Sequence, residues 1–514
     1  MEGFGAAPGS SSRRQATAVK PPRSLILDAL TPLTRFCSRL RNVEGYHVEN
    51  FGCRSSQADG DALAVELARA GGRAVPASHA TVVVLNTCAV TAEAERTARA
   101  YLRRVKRENP AAHVVMTGCY AQRAPAEVAK LAGVNAVVGN SHKGLLAGIA
   151  ERLRHQAGLA AGGGETGGFV ALADLGGAGG IPVLVDDRFA HANLAADDLA
   201  ASNDTRPNLK VQDGCGNRCS FCIIPTTRGH SRSVPLHNVL ERVRSFVDAG
   251  GKELMLSGIN LGRWGRDFER PARLEDLVAA ILVQTALPRL RISSVEPMDW
   301  SIELLALYQQ FGREDAAATG PRLARHAHLP LQSGCDATLR AMHRRYRPWH
   351  YAEKLAAIRE AMPEAAIGAD VMVGFPGETD AHFEESFRFI AQQPFTYLHL
   401  FPFSARPATP GWSLARECPV RGDRAHKRMV RLRALIEEKQ AAFRQRAGEN
   451  KLAVVTLKSS DAHRRQGVTP ALSDNFLHIE IAGVFPANQM LWTSVSHPTK
   501  KEDGSAQAWR AILI

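Results

Sequence analysis

At 514 residues, 45% of them hydrophobic, the chain is too long for one ordinary core and should form two to four domains. Lys and Arg outnumber Asp and Glu 64 to 51. That excess fits a polyanionic partner or simple solubility, and does not separate tRNA from ribosome or DNA. No apolar run reaches membrane-spanning length, and "MEGFGAAPGSSSRRQATAVKPP" lacks the apolar core of a secretory signal, so a cytoplasmic protein without a membrane partner is expected. Nine cysteines, an odd number, argue against a disulfide framework and leave metal binding for those that cluster.

In chain order, residues 1–44 read as an extension open to disorder, ending in the weakly apolar "SLILDALTPLTRFCSRL". Residues 45–150 then alternate strand and helix. "GYHVENFGC" predicts a strand ending at Cys53, "DALAVELARAGG" a helix with a Gly stop, and "ATVVVLNTC" a buried strand ending at Cys88. "AEAERTARAYLRRVKREN" predicts a basic amphipathic helix, and "HVVMTGC" a strand ending at Cys119. In an open parallel sheet the carboxyl ends of the strands share the edge where ligands bind. Cysteines separated by 34 and 30 residues could therefore converge there, unless they are three unrelated buried thiols.

Residues 151–204 form a Gly- and Ala-rich connector, with strand character only around "IPVLVDD". From 205 to 440 the alternation returns. The strands predicted are "NLKVQDG", "KELMLSG", "RLRISSV", "AHLPLQSG", "GADVMVGFPG" and "TYLHLFPF", with helices such as "LHNVLERVRSFVDAGG" between them. Six such units suggest a partial barrel of parallel strands with its site at the C-terminal face. A basic helix follows over 422–451. Short strands ("AVVTLK", "FLHIEIAG", "QMLWTSV") then make residues 441–514 a small all-β module with the end of that helix. The expected class is α/β: an open parallel domain, a partial (β/α)6 barrel and a small C-terminal β-barrel.

Cys215, Cys219 and Cys222 fall in "KVQDGCGNRCSFCIIPTTRGHSRS" with the spacing C-x3-C-x2-C, in the loop after the first barrel strand. An iron–sulfur cluster normally takes four thiolates. With three, one iron is left for a small molecule carrying an amine and a carboxylate. Zinc held by three cysteines and a histidine, for instance His230, is the structural alternative.

With Phe221 as its aromatic, this loop resembles the signature of radical S-adenosylmethionine enzymes. "FGCRSSQADG", "LNTCAVTAEAERTAR" and "MTGCYAQ" resemble the N-terminal domain of the methylthiotransferase family. The likeness continues through "LSGINLG", "SSVEPMDW", "HLPLQSG" and "GADVMVGFPGETDAHFEES", and "ALSDNFLHIEIAGVFPANQMLWTSV" resembles the RNA-binding TRAM module.

The resemblance implies two [4Fe-4S] clusters, one on Cys215, Cys219 and Cys222 and an auxiliary one on Cys53, Cys88 and Cys119, with S-adenosylmethionine as cofactor. "TCAVTAEAER" and "FPFSARPATP" look most like the branch that methylthiolates carbon 2 of N6-threonylcarbamoyladenosine beside the tRNA anticodon. The implied partners are a tRNA anticodon stem-loop and an unidentified electron donor. Sibling branches act on isopentenyladenosine or a ribosomal-protein aspartate; a non-catalytic iron–sulfur RNA-binding protein is the reading from another class.

By position, Ser257 and Gly258 should hold the amine of S-adenosylmethionine. Ser293, Gln332 and Asp370 should line its cavity and Phe221 pack near its adenine, against the alternative of ordinary strand-end hydrogen bonding. Tyr346, Arg347 and Trp349 are candidates to stack on unpaired bases. Ser56 stands where the family usually has Asn, and Cys335 where Ser is usual, a spare thiol near the barrel mouth open to oxidation. Cys37 and Cys418 are expected to be packing residues, and "SSDAHRRQGV" departs from the TRAM pattern.

Overall fold

The computed structural model describes residues 45–150, 152–153, 181–189, 192, 205–313, 320–448, 450–495 and 510–513. The extension with Cys37, and most of the connector, lie outside the described residues, and everything below concerns the unit from Asn42 to Ile514.

Five strands, β1 (Tyr46–Asn50), β2 (Val82–Thr87), β3 (His113–Gly118), β4 (Val134–Gly139) and β5 (Val183–Leu184), make one sheet in sequence order, all parallel. β2 reads VVVLNT and is buried at every position, as a parallel strand covered on both faces must be. Two helices cross over within this sheet, α1 (Arg54–Arg69) and α2 (Ala92–Glu108).

In α2, Thr91 Oγ1 caps the first turn by accepting from Ala94 N at 3.2 Å. Glu93 and Glu95 sit at the positive end, Lys106 and Arg107 at the negative one. Its buried stripe of Ala98, Leu102 and Val105 follows the helical period.

Helix α1 starts directly after Cys53, well before the stretch "DALAVELARAGG" that predicts it. Its first turns bury Ser55, Ser56, Ala58, Asp59 and Gly60, small or polar residues with no apolar period to read. Ser56 and Asp59 find partners far away in sequence, in Arg228, Lys143 and Lys210.

The second region is built on β6 (Asn208–Asp213), the short antiparallel β7 (Arg232–Ser233), β8 (Glu253–Gly258), β9 (Arg289–Ile292), β10 (His326–His328), β11 (Ala366–Val373) and β12 (Tyr397–Pro402). Parallel bridges Leu290–Leu323 and Ser294–His328 join β9 to β10, so six parallel strands run as an open barrel. The predicted strand "AHLPLQSG" shrinks to His326–His328, because Pro330 follows and Gln332 adopts a left-handed φ of 64°.

Along these strands Leu209, Val211, Leu254, Leu256, Leu290 and Ile292 face the surrounding helices in one large core. The alternate residues point inward, and many are polar: Lys210, Gln212, Ser257, Arg291, His328 and Asp370. An ordinary closed barrel fills its interior with branched apolar side chains. A polar interior marks a binding chamber.

Helix α3 (Gly422–Gly448) runs unbroken across the predicted boundary at 440/441. Beyond it β13 (Lys451–Thr456), β14 (Val468–Ser473), β15 (His478–Ala482), β16 (Met490–Val495) and β17 (Arg510–Leu513) close into a five-stranded barrel. "SSDAHRRQGV" contains a five-residue helix, Asp461–Arg465, capped by Ser460. The small barrel docks under the amino ends of the large one's strands. Arg291 donates to the carbonyls of Ser473 (2.9 Å) and Asp474 (3.1 Å), and the Phe476 ring lies 4.4 Å from that of His326.

Candidate active site between two cysteine trios

Cys53 precedes α1, Cys88 follows β2, and Cys119 follows β3, so parallel topology brings all three to one sheet edge. Cys88 and Cys119 are buried and Cys53 is exposed. Burial first, then the neighbouring Cys119 and, more weakly, Cys53, push the Cys88 thiol up to about 12. Hydrogen-bond donors already face the sulfurs: Val90 N to Cys88 Sγ and Asn140 Nδ2 to Cys119 Sγ, both at 3.4 Å. Gly118 makes the turn into Cys119 at φ +92°, where a Cβ would collide with the Thr87 carbonyl oxygen.

The second trio is local. Cys215, Cys219 and Cys222, all half-buried, occupy the loop leaving β6 at the carboxyl end of the open barrel. Gly214 turns that loop at φ +77°, with the His230 carbonyl where a Cβ would be. Asn217 N (3.4 Å) and Asn260 Nδ2 (3.5 Å) donate to Cys215 Sγ, and Arg344 Nη1 donates to Cys219 Sγ at 3.3 Å. Burial again pushes the Cys222 thiol up to about 12.

A closed zinc site would hold its sulfurs about 3.8 Å apart, from Zn–S bonds of about 2.3 Å. Among the described residues, the trio whose ligand atoms all lie within 4.8 Å of one another is His328, Asp370 and His399, and not either set of cysteines. His230 is exposed. Both cysteine sets are thus spread more widely than a single ion requires, which fits the larger edge of a cluster.

A buried ionic network ties the two trios together. Arg228 bonds Asp213 Oδ1 and Asp59 Oδ2, each at 2.9 Å, and approaches Ser56 Oγ at 3.4 Å. Lys143 also bonds Asp59 (2.8 Å), and Lys210 contacts Asp59 and Asp213. Burial opposes the charge on Asp59, but Lys143, Lys210 and Arg228 outweigh it and hold the carboxyl well below the usual range. Three buried cations against two carboxylates leave one surplus positive charge, and Arg228 lies within electrostatic reach of Cys119 and Cys53. Asn140 adds a neutral tie, donating to Thr227 O (2.8 Å) as well as to Cys119.

Across the interior runs a second line of polar side chains. From Cys219 it passes to Arg344, which pairs with Glu296. Glu296 acts electrostatically on Asp370, whose carboxyl is pushed up from 3.8 to about 6, by burial first and then by Glu296. Asp370 Oδ1 lies 3.5 Å from His328 Nε2, and the rings of His328 and His399 are 5.3 Å apart. Arg54, next to Cys53, lies within electrostatic reach of both histidines and ends the line at the other trio.

The residues predicted to hold S-adenosylmethionine line the barrel's carboxyl end. Ser257 Oγ and Gln332 Oε1 are buried without hydrogen-bond partners, and so is Asn260 Oδ1. Orphaned polar atoms at strand exits suit a polar ligand better than a closed core. Gln332 also holds a left-handed φ, while Met372 N donates to its carbonyl at 2.9 Å. Gly258 packs against Gln212, Ser293 donates its N–H to Leu256 O, and Phe221 packs with Met342, Met372 and Phe375.

Three expectations need correction. Tyr346 is 1% exposed, its hydroxyl donating to the carbonyls of Pro330 and Leu331, so it cannot stack on a base; Trp349 is 52% exposed and can. Cys335 is fully buried with its thiol donating to Glu385 at 3.1 Å, so it does not offer an accessible thiol. Cys418 is exposed and does not act as a packing residue. Sequence reasoning missed Asn140, Arg228, Asn260, Glu296 and Arg344. Each faces its site from an element whose position the linear motif does not reveal, although Arg228, Asn260 and Glu296 lie inside the motifs given above.

A family model described as "Uncharacterized protein family UPF0004" matches residues 45–139, and one described as "Radical SAM superfamily" matches residues 209–390. A protein of Aquifex aeolicus (strain VF5) named threonylcarbamoyladenosine tRNA methylthiotransferase MtaB is 32% identical over 438 residues, 85% of this chain and 96% of that one. A tRNA-2-methylthio-N(6)-dimethylallyladenosine synthase of Thermobifida fusca (strain YX) is 31% identical over 439 residues, 82% of this chain and 80% of its own. Among solved structures, the radical S-adenosylmethionine methyltransferase TsrM of Kitasatospora setae aligns over 73% of this chain and 78% of its own, at 15% identity and a TM-score of 0.49.

The chain belongs to the radical S-adenosylmethionine methylthiotransferases. Membership brings S-adenosylmethionine and a [4Fe-4S] cluster. No helix among the described residues is long and apolar enough to cross a membrane.

Proposed function

We propose that this protein methylthiolates carbon 2 of N6-threonylcarbamoyladenosine at position 37 of tRNA, with S-adenosylmethionine as both methyl donor and radical source. The observation that carries this reading is the pair of cysteine trios facing one polar interior, joined by ionic networks. The names of the relatives and the wording of "TCAVTAEAER" and "FPFSARPATP" support the choice of base.

In this reading Cys215, Cys219 and Cys222 hold the radical cluster, and Cys53, Cys88 and Cys119 an auxiliary [4Fe-4S] cluster. When bound, these groups supply a radical for an adenine carbon too weakly acidic for proton chemistry, and the sulfur that carbon receives. The chain's own residues do the positioning. Asn217, Asn260 and Arg344 donate toward the radical trio, and Val90 and Asn140 toward the auxiliary one. Phe221, Ser257, Gly258, Ser293, Gln332 and Asp370 surround S-adenosylmethionine, with the orphaned Ser257 and Gln332 oxygens as its polar contacts. Proximity of sulfur donor and activated carbon supplies much of the rate.

The modified base leaves the anticodon-loop stack to enter. Exposed Trp349, the basic face of α3 and the TRAM-like module over 441–514 are the surfaces for RNA. The N-terminal domain spans 45–150, the connector 151–204 and the radical core 205–440.

Nucleoside mass spectrometry of bulk tRNA from cells with and without the gene tests the reading. Loss of the methylthio form, with accumulation of plain threonylcarbamoyladenosine, is expected. Loss of methylthio-isopentenyladenosine instead would move the protein to the sibling branch. Unchanged nucleosides would overturn tRNA as substrate and point to ribosomal protein.

A further inference from the structure

Arg54 stands apart from the other arginines of the interior. Arg344 pairs with Glu296, Arg228 with Asp59 and Asp213, and Arg291 with Glu253. Arg54 Nη1 meets only the thioether of Met255, at 2.7 Å, and among the described residues no carboxylate lies within ion-pair distance of it. Solvent reaches this side chain. Its backbone is fixed, because Asn208 Nδ2 donates to the Arg54 carbonyl at 2.9 Å. A guanidinium without an anion partner is free to take one, and its planar fork matches a carboxylate.

The surroundings point to the same kind of ligand. His328 is buried, and Ser294 Oγ lies 2.6 Å from its Nδ1 while its Nε2 has no hydrogen-bond partner. His399 is exposed beside it, and Asp370 Oδ1 is at 3.5 Å from that unpartnered Nε2. Burial lowers His328 to about 3, so at neutral pH it adds no second charge and acts through its ring nitrogen.

We propose that Arg54, His328, His399 and Asp370 form the specificity pocket for the substituent on the target base, with Arg54 binding a carboxylate, the other three its hydroxyl or N–H groups, and Asp370 shared with the S-adenosylmethionine cavity. This rests on the reading of the substrate given above. An amino-acid conjugate such as the threonylcarbamoyl group carries both an anion and hydrogen-bond donors. A hydrocarbon substituent would strip water from four polar side chains and return nothing, which is the situation that gives strong discrimination. Since Arg54 follows Cys53 directly, the gripped group would lie on the side of the auxiliary trio.

The test uses reconstituted holoenzyme and two anticodon stem-loops, one bearing threonylcarbamoyladenosine and one in which the threonine carboxylate is a carboxamide. Wild type should bind the carboxamide roughly tenfold to hundredfold more weakly, the range of a charge-assisted hydrogen bond. Arg54→Gln, at wild-type iron content, should lose that factor on the carboxylate and nothing further on the carboxamide, and Arg54→Lys should recover part of it. Equal penalties on both stem-loops, or none, would overturn the pocket. If Arg54→Gln fails to retain iron, wild type alone decides: equal affinity for the two stem-loops overturns it. A wild type that binds the carboxylate form preferentially yet never methylthiolates it would leave the pocket standing and overturn the substrate reading; one that neither prefers nor modifies it overturns both.

Discussion

The two cysteine trios reach similar ends by opposite routes. One is written within eight residues of a single loop, and the other is gathered from three strand ends by the topology of a parallel sheet. The loop trio depends on local backbone geometry and on two donors from later barrel elements, Asn260 and Arg344. The dispersed trio depends on the whole N-terminal sheet, and on Arg228 and Asn140, which tie it to the barrel. A motif can therefore announce the first site, whereas the second exists only once the fold does.

Two glycines offer the sharpest way to separate them. Gly118→Ala places a Cβ against the Thr87 carbonyl at a φ of +92° and should cost about 3 kcal/mol or more, with loss of N-terminal iron. Gly214→Ala drives a Cβ into the His230 carbonyl, and should cost the radical cluster while the N-terminal one stays. Iron analysis with thermal melts of both variants checks this. Loss of both clusters from either variant would mean the trios are not independent.

Next in size is Arg228→Met. Removing the surplus charge from the buried network should destabilise the protein by about 3 kcal/mol. It should also make the auxiliary cluster harder to reduce, each ~1.4 kcal/mol of lost attraction lowering the potential by roughly 59 mV. A redox titration followed by electron paramagnetic resonance should show only one of the two centres moving.

A smaller effect, of opposite sign, is expected at Asp370. Its carboxyl titrates near 6 in the folded chain against an ordinary 3.8, so the folded state holds the proton more tightly. Wild type therefore loses stability as pH rises from about 4 to 6, and the deficit is constant above that. Asp370→Asn should then be more stable by on the order of 2 kcal/mol at pH 7.5 and equal near pH 3.5, while binding the stem-loop less well. Denaturant melts at the two pH values read it directly.

Much of this was legible in the sequence. The buried run VVVLNT, the amphipathic helix from Ala92 and the succession of strand and helix through the barrel follow from periodicity. The start of α1 was not, because Ser56 and Asp59 are buried for the sake of Lys210 on β6 and Arg228 beyond it. Tyr346 looked like a stacking residue beside arginines, but its hydroxyl is spent on the carbonyls of Pro330 and Leu331. The cysteines could be named from their spacing and context. The side chains that steady their sulfurs come from other strands and helices, and only the fold brings them near.

The central claim is that two separate clusters face one chamber, and single-cysteine variants test it most directly. Reconstituted wild type should carry roughly eight irons, and Cys88→Ala and Cys219→Ala about four each. Cys88→Ala should still cleave S-adenosylmethionine to 5′-deoxyadenosine, and Cys219→Ala should not. Cleavage that survives in Cys219→Ala, or iron that falls to zero in both variants, would contradict it.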